Sequence, residues 1–511
     1  MIYSEISGIV AKRLLPIFGC IVASIGIIAR SEPDDHGGHS LGLDEEVVSY
    51  VDYGGGLAPR VPTITERIDD IAYPENVERR KAIQARPLDW TAEPLPDYET
   101  FFGGERFLSP GPIDPGTVLS TGATYRPSFV AFGTLRTALQ TYDRDNAEGQ
   151  VTEWANRLDL FGNYSFSTTE RLVVGFRFLD DDGDFTGYRF SEHGDDRYVD
   201  GFNFEPQTFF LEGNLGEIFP SLEPEVMRKR DWAFSLGRQP LNLQDGILVN
   251  DNIDAIGITR HNTFVAGASC ARFSAYFAFN EVHRNDRVRD NNAKLAAFSA
   301  CFDYPKQTIE TDLVYVYGDD TTGGDGLYLG VGQLRQFGYW NSNLRVNASF
   351  ALDGETAAID NGVLISEEFS RVMRHNHDIL SFNVFAGFDR FTSAARDPST
   401  GGPLGGFGGL LYRAVGIGSY GAPLSFEEEN IFGAAVGYQH FFDEFSEKQI
   451  AVELGGNGSL DNPEEDTTSL GLAVQYQQRI NCSSLVSLGG FVASRGGDAQ
   501  HGLRSEIVYK F

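Results

Sequence analysis

The sequence predicts an all-β protein: a transmembrane antiparallel β-barrel of about eighteen strands, preceded by an irregular N-terminal arm. Three observations predict it. From Ser128 onward, apolar and polar residues alternate in one segment after another of about ten residues, the length a tilted strand needs to cross a bilayer. The connections between these segments alternate between short turns and long polar loops. The composition is rich in Gly (58), Phe (39) and Tyr (21) and poor in Cys (4), with a mean hydropathy of only −0.24. No apolar run beyond the N-terminus is long enough for a membrane helix, and lumen-facing polar residues dilute the hydropathy of a barrel.

Taken in order, residues 1–31 read as a secretory signal peptide. Lys12 and Arg13 precede an apolar run from Leu14 to Ile28, and Ala29-Arg30-Ser31 offers small residues for cleavage. A run of about fifteen residues is short for a membrane anchor. Cys20 is a poor lipoprotein site, with the bulky Phe18 just upstream and the apolar run continuing past it. Residues 32–118 are acidic and punctuated by proline, with room for one helix over Thr63 to Arg86, broken at Pro74. They form either a periplasmic arm or a plug. His36 and His39 lack a third ligand at supporting spacing.

Residues 119–511 form the barrel. Period-two alternation places strands near 128–141, 153–166, 170–179, 206–215, 231–239, 253–260, 268–280, 293–303 and 307–318. Nine more follow near 325–336, 340–352, 360–372, 378–391, 429–441, 448–456, 467–480, 483–494 and 502–511. With the N-terminus in the periplasm, the periplasmic turns are short (SFSTTE, RHNT, DYPKQ, RHNH, INCS). The external loops are long, among them residues 180–203, the stretch NEVHRNDRVRDNN, and Ser393 to Glu428. That asymmetry belongs to outer-membrane barrels. Gly216 to Arg230 is the one long connection on the periplasmic side.

Strand facing decides which surface meets lipid. Leu158, Leu160 and Tyr164 oppose Arg157, Asp159 and Asn163; Leu344, Val346 and Phe350 oppose Arg345, Asn347 and Ser349. A ring of eighteen strands is too wide to fill with side chains, so the apolar face points outward and the polar face lines water. The final residues, Ser505, Ile507, Tyr509 and Phe511, alternate on one face, and a last strand ending in an aromatic resembles an outer-membrane assembly signal. Together these features place the chain in the outer membrane of a Gram-negative bacterium, against lipid and lipopolysaccharide.

The lumen is then the functional surface. Its pore-lining and constriction candidates are Arg136, Arg157, Asp159, Arg171, Arg177, Glu212, Arg238, Gln239, Asp245, Asp254, Arg345, Asp389 and Arg479. Mixed charge in a pore orders water, and rings of one sign select ions. The carboxylates Asp180, Asp182 and Asp184 in DDDGD suit a structural Ca²⁺, without EF-hand spacing; a solvated loop is the alternative. No other cofactor is expected. If Ala278 pairs with Ala293, Cys270 and Cys301 come opposite each other, where an oxidising compartment permits a disulfide. A net charge of −31 argues against nucleic acid as a partner. The chain contains no G-x-S-x-G, H-E-x-x-H or P-loop motif, so no enzyme is expected.

One stretch resembles something specific. FSLGRQPLNLQDGILVNDNIDAIGITR, with Gly237, Arg238, Gln239, Leu241, Asp245, Leu248 and Asp254, resembles a strand–loop–strand of the alginate-export family, and NRLDLFGNYSFSTTERL resembles the same family upstream. The resemblance covers residues 128–260. It implies an eighteen-stranded barrel that passes a polyanionic polysaccharide or serves as a related porin. An exporter of that polymer has an arginine-rich pore, whereas acidic residues here are nearly as frequent on the inward face. Pro240 to Asn252 is expected as an external loop folding inward, its charges either constricting the pore or pinning the loop to the wall. Three functions follow: a channel for polar solutes or an exported polysaccharide, a sheath for a periplasmic electron-carrier partner, and an outer-membrane enzyme.

Overall fold

The computed structural model describes residues 116–144, 149–167, 169–220, 231–265, 267–318, 323–373, 377–424, 429–443, 447–461 and 468–511. The signal peptide, nearly all of the N-terminal arm or plug, and the HGGH histidines lie outside them.

Eighteen strands close into one antiparallel ring. They are β1 (Ser128–Asp143), β2 (Val151–Ser165), β3 (Arg171–Arg177), β4 (Pro206–Asn214), β5 (Trp232–Leu243), β6 (Val249–Thr263), β7 (Cys270–Asn280), β8 (Lys294–Tyr304) and β9 (Gln307–Tyr317). The ring continues with β10 (Gly326–Phe337), β11 (Trp340–Ala351), β12 (Gly362–Val372), β13 (Ile379–Asp389), β14 (Ile431–Phe441), β15 (Lys448–Ser459), β16 (Ser469–Arg479), β17 (Ser484–Arg495) and β18 (Asp498–Lys510). Each segment marked by alternation in the sequence is one of these strands. The seam is β18 on β1, from His501↔Asp143 to Lys510↔Thr134, and the Phe511 backbone N–H donates to Gly133. Closure pairs each wall strand on both sides across the membrane-spanning part of the ring.

The outer face is apolar. Leu139, Phe209, Ile256, Phe277, Leu313, Leu454, Leu503 and Ile507 are all exposed although they sit within strands. Exposure of this many large apolar groups fits lipid and not water. Phe337, Tyr339, Tyr438, Phe442 and Tyr509 form an aromatic rim at the periplasmic end.

Three expectations change. The external segment 180–203 is not only loop, because Asp184–Ser191 pairs with β2 from Val151↔Ser191 to Asn156↔Thr186 and extends the wall outward. Pro240 to Asn252 is not a long loop either. β5 and β6 stay paired through Leu243↔Val249, and three residues of positive φ, Gln244, Asp245 and Gly246, close the end. β5 loses its other partner after Arg238↔Phe209, so Pro240 lies on a free edge where its missing N–H costs nothing. Gly237 makes the departure possible: its φ is 119°, and a Cβ there would lie 2.2 Å from the Phe209 carbonyl oxygen.

The third correction concerns Cys270 and Cys301, whose thiols are free. Ala278 pairs with Leu295 and not Ala293, so Cys270 faces Asp303 and Cys301 faces Arg272. The displacement follows from the outer connection. It carries a small hairpin, Val282–His283 on Arg289–Asp290, and Ala293 is held in its turn by the Asp290 carbonyl.

Candidate functional site: the constricted lumen

Two segments leave the wall and occupy the lumen. The first is the end of the β5–β6 hairpin. Alternation gives it a buried apolar side, with Leu241, Leu243, Ile247, Leu248 and Val249 all in the core. Its tip reaches β9, β10 and β11. Gln244 donates from Nε2 to Asp312 at 2.6 Å and accepts from Arg345 at 3.1 Å. Asp245 takes an ion pair from Arg345 at 2.5 Å and a hydrogen bond from Asn343 at 2.9 Å. Glycine at 330 allows this approach, since a Cβ would stand 2.5 Å from Gln244 Cγ.

The second segment is the connection between β13 and β14, residues 390–430. It first runs beside the hairpin, with Ala395 and Arg396 pairing parallel to Val249 and Asn250. Arg396 is fully buried at the joint. Its guanidinium donates to the carbonyls of Gly246, Ile247, Gly401 and Gly402 and to Ser393 Oγ. Burial pulls its pKa down to about 9, which leaves it cationic at neutral pH. Asp397 beside it stays below the usual carboxylate range: burial pushes it up, but Arg177, the Ser399 hydroxyl and N–H, and His283 together outweigh that.

The loop then circles the lumen, held by wall side chains that bond to its backbone. Glu368 accepts from the Gly408 N–H, Asn383 donates to the Gly408 carbonyl, and Glu453 accepts from Leu410 and Leu411. Arg136 donates to the carbonyls of Val415 and Gly416, and Arg157 to Gly416. Gln140 donates to Ile417, Glu153 accepts from Ser419, and Arg144 donates to Tyr420 and Ala422.

Most candidate residues therefore serve to hold structure. Arg136 pairs with Glu506 at 2.6 Å, and Asp159 bridges Arg157 at 2.8 Å and Arg177 at 3.3 Å. Arg238 pairs with Asp254 at 3.0 Å, Glu205 at 3.0 Å and Glu281 at 3.1 Å, fixing the root of the hairpin. Gln239 donates to the Ala255 carbonyl. Arg345 of β11 and Asp245 meet at the hairpin tip. Arg171 with Glu212 and Arg479 with Glu447 pair at the periplasmic end, away from the constriction. Asp389 stands exposed at the outer end of β13, its backbone N–H bonded to Asn430.

Of the carboxylates expected to suit calcium, Asp180 has a cationic partner. Asp180 turns inward to Arg177 at 3.3 Å and accepts from the Gly183 N–H, away from Asp182 and Asp184. Among the described residues no three His, Cys, Asp or Glu side chains group to hold a metal.

Sequence reading missed Glu153, Gln140, Glu368 and Arg396. The first three lie on the polar faces of β2, β1 and β12, so alternation could have found them. Arg396 sits in a segment without periodicity and carries no such signal.

A closed antiparallel ring with an apolar exterior, a polar lumen and inward segments defines an outer-membrane barrel of the channel type. No family model matches the chain, and no curated protein matches it in sequence. The fold is similar to that of a BenF-like porin from Pseudomonas fluorescens Pf-5, with a TM-score of 0.51, 11% identity, and coverage of 75% of this chain and 98% of that one. OccK9 (OpdG) of Pseudomonas aeruginosa gives a TM-score of 0.49 and 12% identity, with coverage of 75% and 98%. Outer membrane protein opdK of Pseudomonas aeruginosa gives 0.48 and 12%, with coverage of 75% and 98%. The likeness to the BenF-like porin is one of fold, and the alginate-export resemblance rests on the residues quoted for it.

Proposed function

We propose that this protein is a passive channel of a Gram-negative outer membrane, admitting small polar solutes. The observation that carries the reading is the cross-section: lipid-compatible outside, charged and amide-lined inside, and narrowed by two segments anchored to the wall. Anchored segments set a size limit, and the charges lining them set ion preference. The reading needs no cofactor and no catalytic step. Its surroundings are outer-membrane lipid along the apolar belt and lipopolysaccharide at the acidic outer loops.

The crossing of the lumen by residues 390–430 weighs against a sheath around a periplasmic carrier, which needs an open bore. Export of a polysaccharide, the finer meaning of the alginate-export resemblance, requires that this loop move aside. Conductance of the purified protein in planar bilayers tests the proposal. Stable single-channel steps in salt are expected. A barrel that inserts, stays closed, and remains closed when residues 398–424 are deleted sinks the channel reading.

A further inference from the structure

The lumen is not uniform around its circumference. On β18 and β1–β3 it is charged. On β11–β16 the wall carries amides and hydroxyls beside the loop-bound Glu368 and Glu453, and a cavity of about 580 Å³ lies against it. This is within the ~300–1,000 Å³ typical of small-molecule sites.

The amides lie on three adjacent strands. Gln439 on β14 donates to Gln449 on β15 at 2.5 Å, and Gln449 donates to Gln477 on β16. This relay fixes their orientation and leaves Gln439 Oε1 and Gln477 Nε2 without a protein partner among the described residues. Gln475 makes no side-chain hydrogen bond there at all. The cavity thus presents unused acceptors and donors side by side. An amide offers both kinds, and so does a hydroxyl.

Charge in the cavity is limited. Glu368 and Glu453 border it, but one oxygen of each accepts backbone N–H groups of the long loop, and the other oxygen of Glu368 accepts from Asn343. Arg413 is the one cation of its lining. An anionic solute meets two carboxylates against one guanidinium, and a cationic solute meets carboxylates already engaged. Leu334, 44% exposed on the lumen side of β10, and Leu410 supply apolar contact for C–H faces.

We infer that this chamber binds an uncharged, hydroxyl-rich solute, a short neutral saccharide, on its way through the pore. The inference deepens the channel reading and rests on it for the word "through". Binding itself does not depend on conduction.

The test uses the purified full chain with maltotriose as the neutral probe and tri-galacturonate as a charged probe of similar size. In planar bilayers, maltotriose is expected to interrupt the salt current reversibly, at lower concentration than tri-galacturonate. Replacing Gln475→Leu and Gln477→Leu together is expected to weaken the block about tenfold, read against that variant's own salt current. Gln477→Asn keeps the amide and shortens its reach, so a smaller loss is expected; heat-modifiable gel mobility reports whether each variant has folded. A conducting channel that maltotriose leaves untouched, a stronger block by tri-galacturonate, or leucine variants that block like the parent each overturn the inference. If the barrel conducts nothing even without residues 398–424, the channel reading falls, and titration calorimetry of maltotriose into the detergent-solubilised chain decides the chamber alone. Saturable binding weakened by the leucine pair supports it, and no binding overturns it.

Discussion

The hairpin tip and the long loop occupy the same lumen but are held there by different means. Residues 243–249 continue the ladder of β5 and β6, so their position is written into backbone pairing and a buried apolar side. The described residues 390–424 have almost no ladder beyond the two pairs with β6, and are suspended from the wall by side chains. Arg136 and Arg157 donate to the loop's carbonyls, and Glu153, Glu368 and Glu453 accept from its N–H groups. The charges of this pore are therefore largely structural, and a change in one of them acts first on where the loop lies. Backbone ladders ignore pH and charge substitution; a suspended loop does not.

The largest effect should come from removing the suspended segment. Deleting residues 398–424 is expected to raise single-channel conductance several-fold while the barrel still folds, because the wall strands close without it. If conductance is unchanged, the loop is not the constriction.

Arg396→Met strikes the joint between the two segments. It takes the donor from the carbonyls of Gly246 and Gly401, while Ile247 keeps the Ser393 hydroxyl and Gly402 the Gly405 N–H, at a cost of about 3 kcal/mol. Protease cleavage of the loop and a noisier open-channel current are expected. Arg396→Lys should rescue little, since an ammonium cannot fork to four carbonyls as a guanidinium does.

Removing pins singly should do less. Arg136→Gln frees Val415, leaves Gly416 held by Arg157 alone, and leaves Glu506 with Arg504 as its remaining partner. Loss of a lumen cation shifts selectivity toward cations, measured as a change in reversal potential across a salt gradient. Arg157→Gln should shift it the same way, and a shift toward anions would show that neither charge faces permeating ions.

How much of this was legible in the sequence follows from the same contrast. Period-two alternation marked all eighteen strands and their lumen faces, because facing is a local property of extended chain. The resemblance pointed to Pro240 as the start of the inward segment, three residues past the positive-φ Gly237. Alternation could not show that the ladder runs on to Leu243, since Asn242, Gln244 and Asp245 read as turn residues and their partners are on β9–β11, far away in sequence. The pairing of β7 with β8 was displaced by two because alternation fixes face but not register, which the outer hairpin at Val282–His283 settles. The path of residues 390–430 was illegible for a related reason: backbone N–H and C=O groups are the same in every residue, so a loop bound through its backbone leaves no pattern.

A pH dependence should separate the segments more gently. His283 lies where the outer hairpin meets β6, its Nδ1 2.9 Å from Asp251, with Asp397 of the long loop and Asp182 adding charge. Burial lowers its pKa most strongly, but the hydrogen bond and charge of Asp251 and the charges of Asp397 and Asp182 outweigh it, and the net shift is upward. A raised pKa means the latch is fully present below about pH 6.5 and is lost as pH rises through the folded value above it. Arg177, Arg289 and Glu281 line the same small cavity as His283, and the two guanidinium groups keep their charge across that range. Protease susceptibility of the loop should rise with pH above 6.5, and His283→Asn should flatten the response; an equally steep profile in that variant assigns the dependence elsewhere.

The smallest effect is expected at Arg171 and Glu212. They are the same residue types as the pins, on the same lumen face of β3 and β4, but they lie near the periplasmic end with side chains 47% and 34% exposed. Water screens the pair, and ordering two long side chains opposes it, so its contribution is about 0–1 kcal/mol. Neither residue donates to or accepts from either inward segment. Arg171→Gln should leave conductance, selectivity and loop cleavage as they were, and should barely move the unfolding midpoint in urea. If it altered selectivity as much as Arg136→Gln, position relative to the suspended loop would not be what gives a lumen charge its influence, and the contrast between ladder-held and side-chain-held segments would lose its explanatory weight.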